Sequence, residues 1–351
     1  MKHFFLFIVL FSHEAFASST AGQSAFNPDI SVNGLFLDRN GNRGNDANSA
    51  NPNGFAFQEA EMQFTSDIDS YMRGNALLSV GQTTSQQFDI TPEEIYLESL
   101  TIPQVTIKAG RFKTAINKHN MLHTHAYPFI DAPLANTELL GDDLTEPGVS
   151  AAFLIPVSWY MDLTVQSVRG NNPTMFNNSS PNANVNLARL NNLWDMSDEL
   201  TAEFAVSYGQ GKNSNDMDSK IWGSDLIFKW RPSIMGTYHA IKWTTQYLAG
   251  VKGNNPDSEF SKGITTFLQY QFDQRWWVQG RTEYFDRLNG NALAGPFIVK
   301  RKSSALVSFD PSEFSEFRIQ YDHLRDDQQI AEQRVTLQMN FVMGAHPAHS
   351  Y

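Results

Sequence analysis

Cysteine is missing from this chain altogether. An exported protein of this size would therefore do without disulfides. Long apolar runs are missing as well. Beyond residue 17 no stretch is long and apolar enough to cross a bilayer as a helix. Positive charge is also in deficit: the formal net charge is −11, which argues against nucleic acid as a partner. What the chain has instead is rings. Phe occurs 26 times and aromatic residues make up 13%, alongside 18% charged residues.

The opening MKHFFLFIVLFSHEAFA reads as a secretory signal peptide. Lys2 supplies a positive start, Phe4 to Phe11 an apolar core, and Ala15-Phe16-Ala17 a small-x-small cleavage site. Cleavage after about Ala17 is predicted, so residues 1–17 are a leader and the mature chain lies outside the cytoplasm. An exported, cysteine-free, aromatic-rich chain without membrane helices is suited to a closed transmembrane β-barrel.

The stretch QYQFDQRWWVQGRTEYF, residues 269–285, tests that expectation. Side chains alternate across a strand. Trp276, Val278, Gly280, Thr282 and Tyr284 fall on one face, and Trp277, Gln279, Arg281, Glu283 and Phe285 on the other. Asp273-Gln274-Arg275 joins this strand to its predecessor as a tight turn. In residues 222–231 the outward set is Trp222, Ser224, Leu226, Phe228 and Trp230, and the inward set includes Asp225, Lys229 and Arg231. Trp222 and Trp230 stand roughly 20 Å apart along the membrane normal for a strand tilted near 40°. Trp222, Trp230, Trp276 and Tyr284 are thus predicted to belong to interfacial aromatic girdles. The opposite faces carry charge and need water, so the interior is predicted to be wet.

Fifteen connections, long and short in strict alternation, predict an all-β, antiparallel up-and-down barrel of about sixteen strands, with fourteen to eighteen allowed by soft boundaries. Short turns would face the periplasm and long loops the outside. The barrel is assigned to residues 27–344, preceded by a short periplasmic segment 18–26 and followed by a tail 345–351. About sixteen strands is enough for an aqueous channel.

NPDISVNGLF at Asn27–Phe36, TIKAGRFKTAINKHNMLHTHAYPFIDAPL at Thr106–Leu134, the aromatic hairpin above and the terminal GAHPAHSY resemble the Gram-negative outer-membrane porin superfamily. The resemblance is nearest to porin-like proteins grouped with phosphate-selective or zinc-regulated porins, and it covers most of the mature chain. It implies a passive outer-membrane diffusion channel for small hydrophilic solutes, in contact with membrane lipid and lipopolysaccharide, with homotrimer as the family's habit. Porins usually close on an aromatic residue. Here either Phe341 ends the last strand and a tail with Pro347 follows, or Tyr351 is an unusual ending.

The long segment 114–147 follows the fifth predicted strand, as does the inward-folding loop of trimeric porins, so the resemblance implies a constriction. The segment's Met121, Leu122, Tyr127, Phe129, Ile130, Leu134, Leu139 and Leu140 are too apolar for a loop bathed in solvent. It also carries His119, His123, His125 and Asp131. Were the segment helical, His119 and His123 would share a face. Imidazoles with a carboxylate suit Zn, Cu or Ni, and histidines hydrogen-bonded in a wet constriction are the plainer alternative. No other cofactor is expected.

Predicted pore-lining residues are Glu59, Glu61, Lys108, Lys229, Lys242, Arg281, Glu283, Glu316 and Arg318, with Lys300 and Lys302 of the same parity. Opposed acids and bases would set up a transverse field. An enzyme is not expected, because His239, placed on a strand, lacks a recognisable nucleophile motif. The alternatives to a porin are a non-conducting structural or surface-binding barrel, and a channel for divalent metal.

Overall fold

The computed structural model describes residues 28–45, 52–82, 87–177, 180, 183–254, 258–289, 298–326 and 331–344. The predicted leader and segment 18–26, and the tail with His346 and His349, lie outside them. Strands β1 to β5 are Asp29–Gly41, Gly54–Asp67, Met72–Gln82, Phe88–Ser99 and Val105–Lys113. A helix α1, Leu134–Leu140, precedes β6 to β11: Thr145–Leu154, Tyr160–Arg169, Asn184–Asp195, Leu200–Lys212, Asp218–Trp230 and Ala240–Lys252. Strands β12 to β16 are Glu259–Asp273, Trp276–Asn289, Ile298–Ser312, Ser315–Arg325 and Ala331–Gly344. Each pairs antiparallel with its neighbours in sequence, and β16 closes on β1, making a sixteen-strand barrel. Closure gives every described strand a neighbour on both sides, as a lipid environment demands.

The predicted alternation holds along the walls. On β9, Phe204, Val206 and Tyr208 are exposed while Glu203, Ala205 and Ser207 are buried. On β13, Trp276 and Val278 face outward while Gln279, Arg281 and Glu283 are buried. The four predicted girdle residues sit on the outer parity. Trp276 packs on Phe272 and Phe309 near the short-turn end, and the indole of Trp230 donates to Glu199 there. Trp222 lies against Tyr208, and Tyr284 donates to Asp286 with Arg301 over its ring.

Four register shifts interrupt the described ladders, at Leu35/Phe36, Leu77/Leu78, Gln271/Asp273 and Phe309/Ser312, and the first two bear on the site. Between β1 and β2, Leu35 faces Glu59 and Phe36 faces Phe57, so Gln58 is the extra residue. Between β3 and β4, Leu77 faces Glu94 and Leu78 faces Pro92, leaving Glu93 extra. Pro92 has no N–H for the ladder, which makes this position suited to a bulge. Pairing of β4 with β5 is confined to residues 95–98 and 108–111. At the end of that pairing Arg111, on the outward parity, donates to the Pro92 carbonyl at 3.1 Å.

The length rule needs correction at one turn. Segment 231–239, at the short-turn end, is longer than segment 213–217 at the other. In the latter, Asn213 accepts from the backbone of Asn215 and Met217, so its side chain closes the turn tightly. His239 lies in the longer turn just before β11, not within a strand.

Candidate functional site: an inward-folded loop and the wall it meets

After Lys113 the chain turns into the barrel. The feet of the loop are tied together: Thr114 N–H donates to the Leu144 carbonyl at 2.9 Å. Asn120 donates to the carbonyls of Thr114 and Leu144, and accepts from Leu144 N–H. Short 3₁₀ turns at His119–Met121 and Thr124–Ala126 follow, then α1, which ends at Gly141 in the left-handed conformation.

Apolar side chains fix one flank. Leu134, Ala135, Leu139, Leu140 and Leu144 pack with Val185, Leu187, Ile221, Leu248 and Phe285 of the wall. Two inward glycines make room. A Cβ on Gly223 would stand 2.4 Å from the Ile116 carbonyl oxygen, and one on Gly263 would stand 2.7 Å from the Ala135 Cβ. A second loop enters beside the first. Met175 and Phe176, both buried, join the cluster, and Asn172 donates to the Leu140 carbonyl at 2.6 Å.

Polar contacts fix the other flank. Asp131 is held by Arg281 at 2.7 Å, by Lys302 and, at 3.9 Å, by Arg334, and it accepts from Gln320 at 2.9 Å. Burial pushes its pKa up, but Arg281 and Lys302 outweigh this and hold the carboxyl well below its usual value. Arg281 also stacks over Phe129 at 4.3 Å and pairs with Glu283. Glu283 accepts from Leu134 N–H at 2.6 Å, and Arg318 donates to the Tyr127 carbonyl at 2.6 Å. Lys118 reaches Glu203, and its backbone N–H donates to Asp225.

All nine residues predicted for the inner wall have inward parity, but they divide. Glu61, Arg281, Glu283 and Arg318 are buried under the loop and serve as its anchors. Glu59 borders open space. Lys108 pairs with Glu98 over the Tyr96 ring, Glu316 pairs with Arg318, and Lys229 faces Lys242 across β10 and β11.

The three histidines also divide. His123 meets Glu93 at 3.2 Å and Glu94 at 3.1 Å, and His125, stacked beside it, is hydrogen-bonded to Glu61. Burial opposes charge on His123, yet the Glu93 and Glu94 hydrogen bonds prevail and raise its pKa to about 9. His119 stands apart, its ring 4.2 Å from that of Tyr127. Burial, then Arg281 and Lys113, lower its pKa to about 3. The helical spacing expected for His119 and His123 is absent because the 3₁₀ turn ends at Met121, and Leu122 and His123 are extended.

Sequence parity passed over Glu93 and Glu94, because the bulge turns consecutive residues to the same side. Pro92 was the available signal. Arg39 was not anticipated, and Arg334, expected on the inner face of the last strand, was not among the predicted pore-lining residues.

Between loop and wall lies a cavity of about 640 Å³. Arg39, Lys300, Lys302 and Arg334 line it on β1, β14 and β16 with Asp322 and Glu332 on β15 and β16 among them, while Glu59 and Glu93 line it on β2 and β4 beside Lys113 of β5.

No family model matches the chain. An uncharacterized protein of Aquifex aeolicus (strain VF5) is 25% identical over 399 residues, covering 96% of this chain and 82% of the relative. Among solved structures the outer-membrane channel DcaP of Acinetobacter baumannii is similar, with a TM-score of 0.61, 13% identity, and 92% and 99% of the two chains covered. A loop L8 deletion mutant of OmpT, an outer membrane protein of Vibrio cholerae, matches with a TM-score of 0.62 at 9% identity over 90% and 99%. The anion-selective porin of Comamonas acidovorans matches with a TM-score of 0.58 at 8% identity over 90% and 98%. The chain thus has the fold of outer-membrane porins and channels.

Proposed function

We propose that the protein is a porin of a Gram-negative outer membrane, exported with removal of residues 1–17, through which small hydrophilic solutes or ions diffuse passively. The observation that carries this reading is the loop-bordered cavity whose lining carries charge of both signs, Arg39, Lys113, Lys300, Lys302 and Arg334 with Glu59, Glu93, Asp322 and Glu332. Opposed rows of charge across a narrow, low-dielectric passage orient water and favour polar over apolar solutes. Segment 114–147 acts as the constriction. The outward aromatic and aliphatic belt meets lipid, and lipopolysaccharide is the expected partner at the long-loop end. A trimer form of V. cholerae OmpT, with a TM-score of 0.59 at 10% identity, supports a homotrimer. A place near the phosphate-selective or zinc-regulated group rests on the sequence segments Asn27–Phe36 and Thr106–Leu134.

The apolar packing of α1 with Met175 and Phe176 favours a second reading, a barrel too filled to conduct. Planar-bilayer recording separates the two. The porin reading predicts discrete current steps from the purified protein, and a silent membrane with correctly inserted barrels contradicts it.

A further inference from the structure

Glu61 is 1% exposed, and its Oε1 has no hydrogen-bond partner among the described residues. A buried carboxylate oxygen without a donor is costly, so it marks a place where something positive belongs. Around it the structure gathers more carboxylate than it neutralises. Glu93 and Glu94 are turned to the same side by the bulge, and Glu59 stands on the same face of β2 with its own Oε1 unpartnered. The one lysine beside them, Lys113, lies 4.0 Å from Glu93 but 2.6 Å from Asp143.

We propose that Glu61, Glu93 and His123 form a binding site for a divalent transition metal, with zinc the best match. One ligand atom from each lies within 4.8 Å of the others. Tetrahedral ligands about 2.1 Å from a zinc ion stand about 3.4 Å from one another, so side-chain rotation closes the difference without moving a strand. Two carboxylates and an imidazole, with water completing the shell, are a donor set that zinc accepts and that oxygen-seeking calcium or magnesium does not need. Glu94 touches the other nitrogen of His123, and His125 holds Glu61; both orient a ligand rather than bind. Glu93 borders the cavity, which gives an ion its way in.

The consequence is mechanical. The metal joins the loop, through His123, to two wall strands, β2 and β4. It latches the side of the loop opposite the apolar packing of α1. The site depends on the loop lying in the lumen and not on the barrel conducting. A protein that binds zinc but passes no current overturns the porin reading and leaves the site standing.

The test is isothermal titration of zinc chloride into the full mature barrel, folded in detergent and free of any added histidine tag. The background is H346A/H349A, which removes the tail histidines. One equivalent of zinc is expected to bind. Affinity should fall at least tenfold in E61Q and in H123Q, and stay unchanged in H119Q. Retention of barrel circular dichroism and heat-modifiable gel mobility shows that each variant folds; for a variant that does not, E93Q takes its place. No saturable binding by the folded parent, or binding that survives both E61Q and H123Q, overturns the proposal.

Discussion

Near the long-loop end, the wall of β8, β10, β11 and β13 gives the inserted loop an apolar bed, whereas β14, β16, β2 and β4 meet it through charge, joined by Arg281 and Glu283 of β13 and Asp225 of β10. The first contact is dry and close, with α1 pressed on Leu248 and Phe285 and with glycines cleared for it. The second leaves a cavity, crossed by the Asp131 tether and bordered by the His123 cluster. Apolar packing is non-directional and fixes where the loop lies. Ion pairs are directional and hold the loop across an open cavity. One loop thus has a structural flank and a candidate functional flank, set by which wall each faces.

Breaking the apolar flank is expected to have the largest effect. Leu139 and Leu140 are 2% and 0% exposed. Replacing both by Ala should cost about 2–5 kcal/mol for each side chain, taken from loop docking rather than from the strand ladder. Limited proteolysis should then cut within 114–144, and channel current should rise and fluctuate. Next comes Asp131→Ala, which leaves Lys302 and Arg281 short of a partner. Loss of docking by about 1–3 kcal/mol is expected, with the reversal potential in asymmetric salt shifting toward anions. Gly223→Ala probes the close approach itself. The added Cβ meets the Ile116 carbonyl and the Ser207 hydroxyl, so about 1 kcal/mol of strain is expected, read as a small fall in unfolding temperature.

Mild acid should have the least effect. The Asp131 carboxyl is held below its unfolded value by Arg281 and Lys302. Its contribution is therefore present above about pH 4 and lost only as the pH falls through the depressed value. In an H119Q/H123Q background, which removes the two loop imidazoles whose pKa values are shifted, loop protection from protease should be the same at pH 7 and pH 5; earlier exposure would mean that the tether is not formed.

Sequence made the wall legible because lipid and water act on every strand residue, so each Phe204 or Glu203 reports its own side. The same logic found the burial of the loop, through Phe129 and Leu139, but not which wall would receive it. Apolarity states an aversion to water and names no partner. The second entering loop was missed because Met175 and Phe176 are a faint signal in a segment rich in Asn. Glu93 and Glu94 escaped because one extra residue inverts parity beyond it. His119 was grouped with His123 on an assumed helix, which the turn geometry does not supply.

The chain's lack of cysteine permits a clean test of the central claim, a conducting barrel narrowed by a loop docked inside it. Single-channel conductance would be recorded from the Thr137→Cys variant, whose new thiol lies on α1 facing the cavity, before and after a charged thiol reagent is added. The account predicts current steps that shrink on modification, because the reagent is placed inside the lumen. A step size unchanged by complete modification would show that the loop does not lie in the lumen, and the absence of steps before and after would contradict the channel itself.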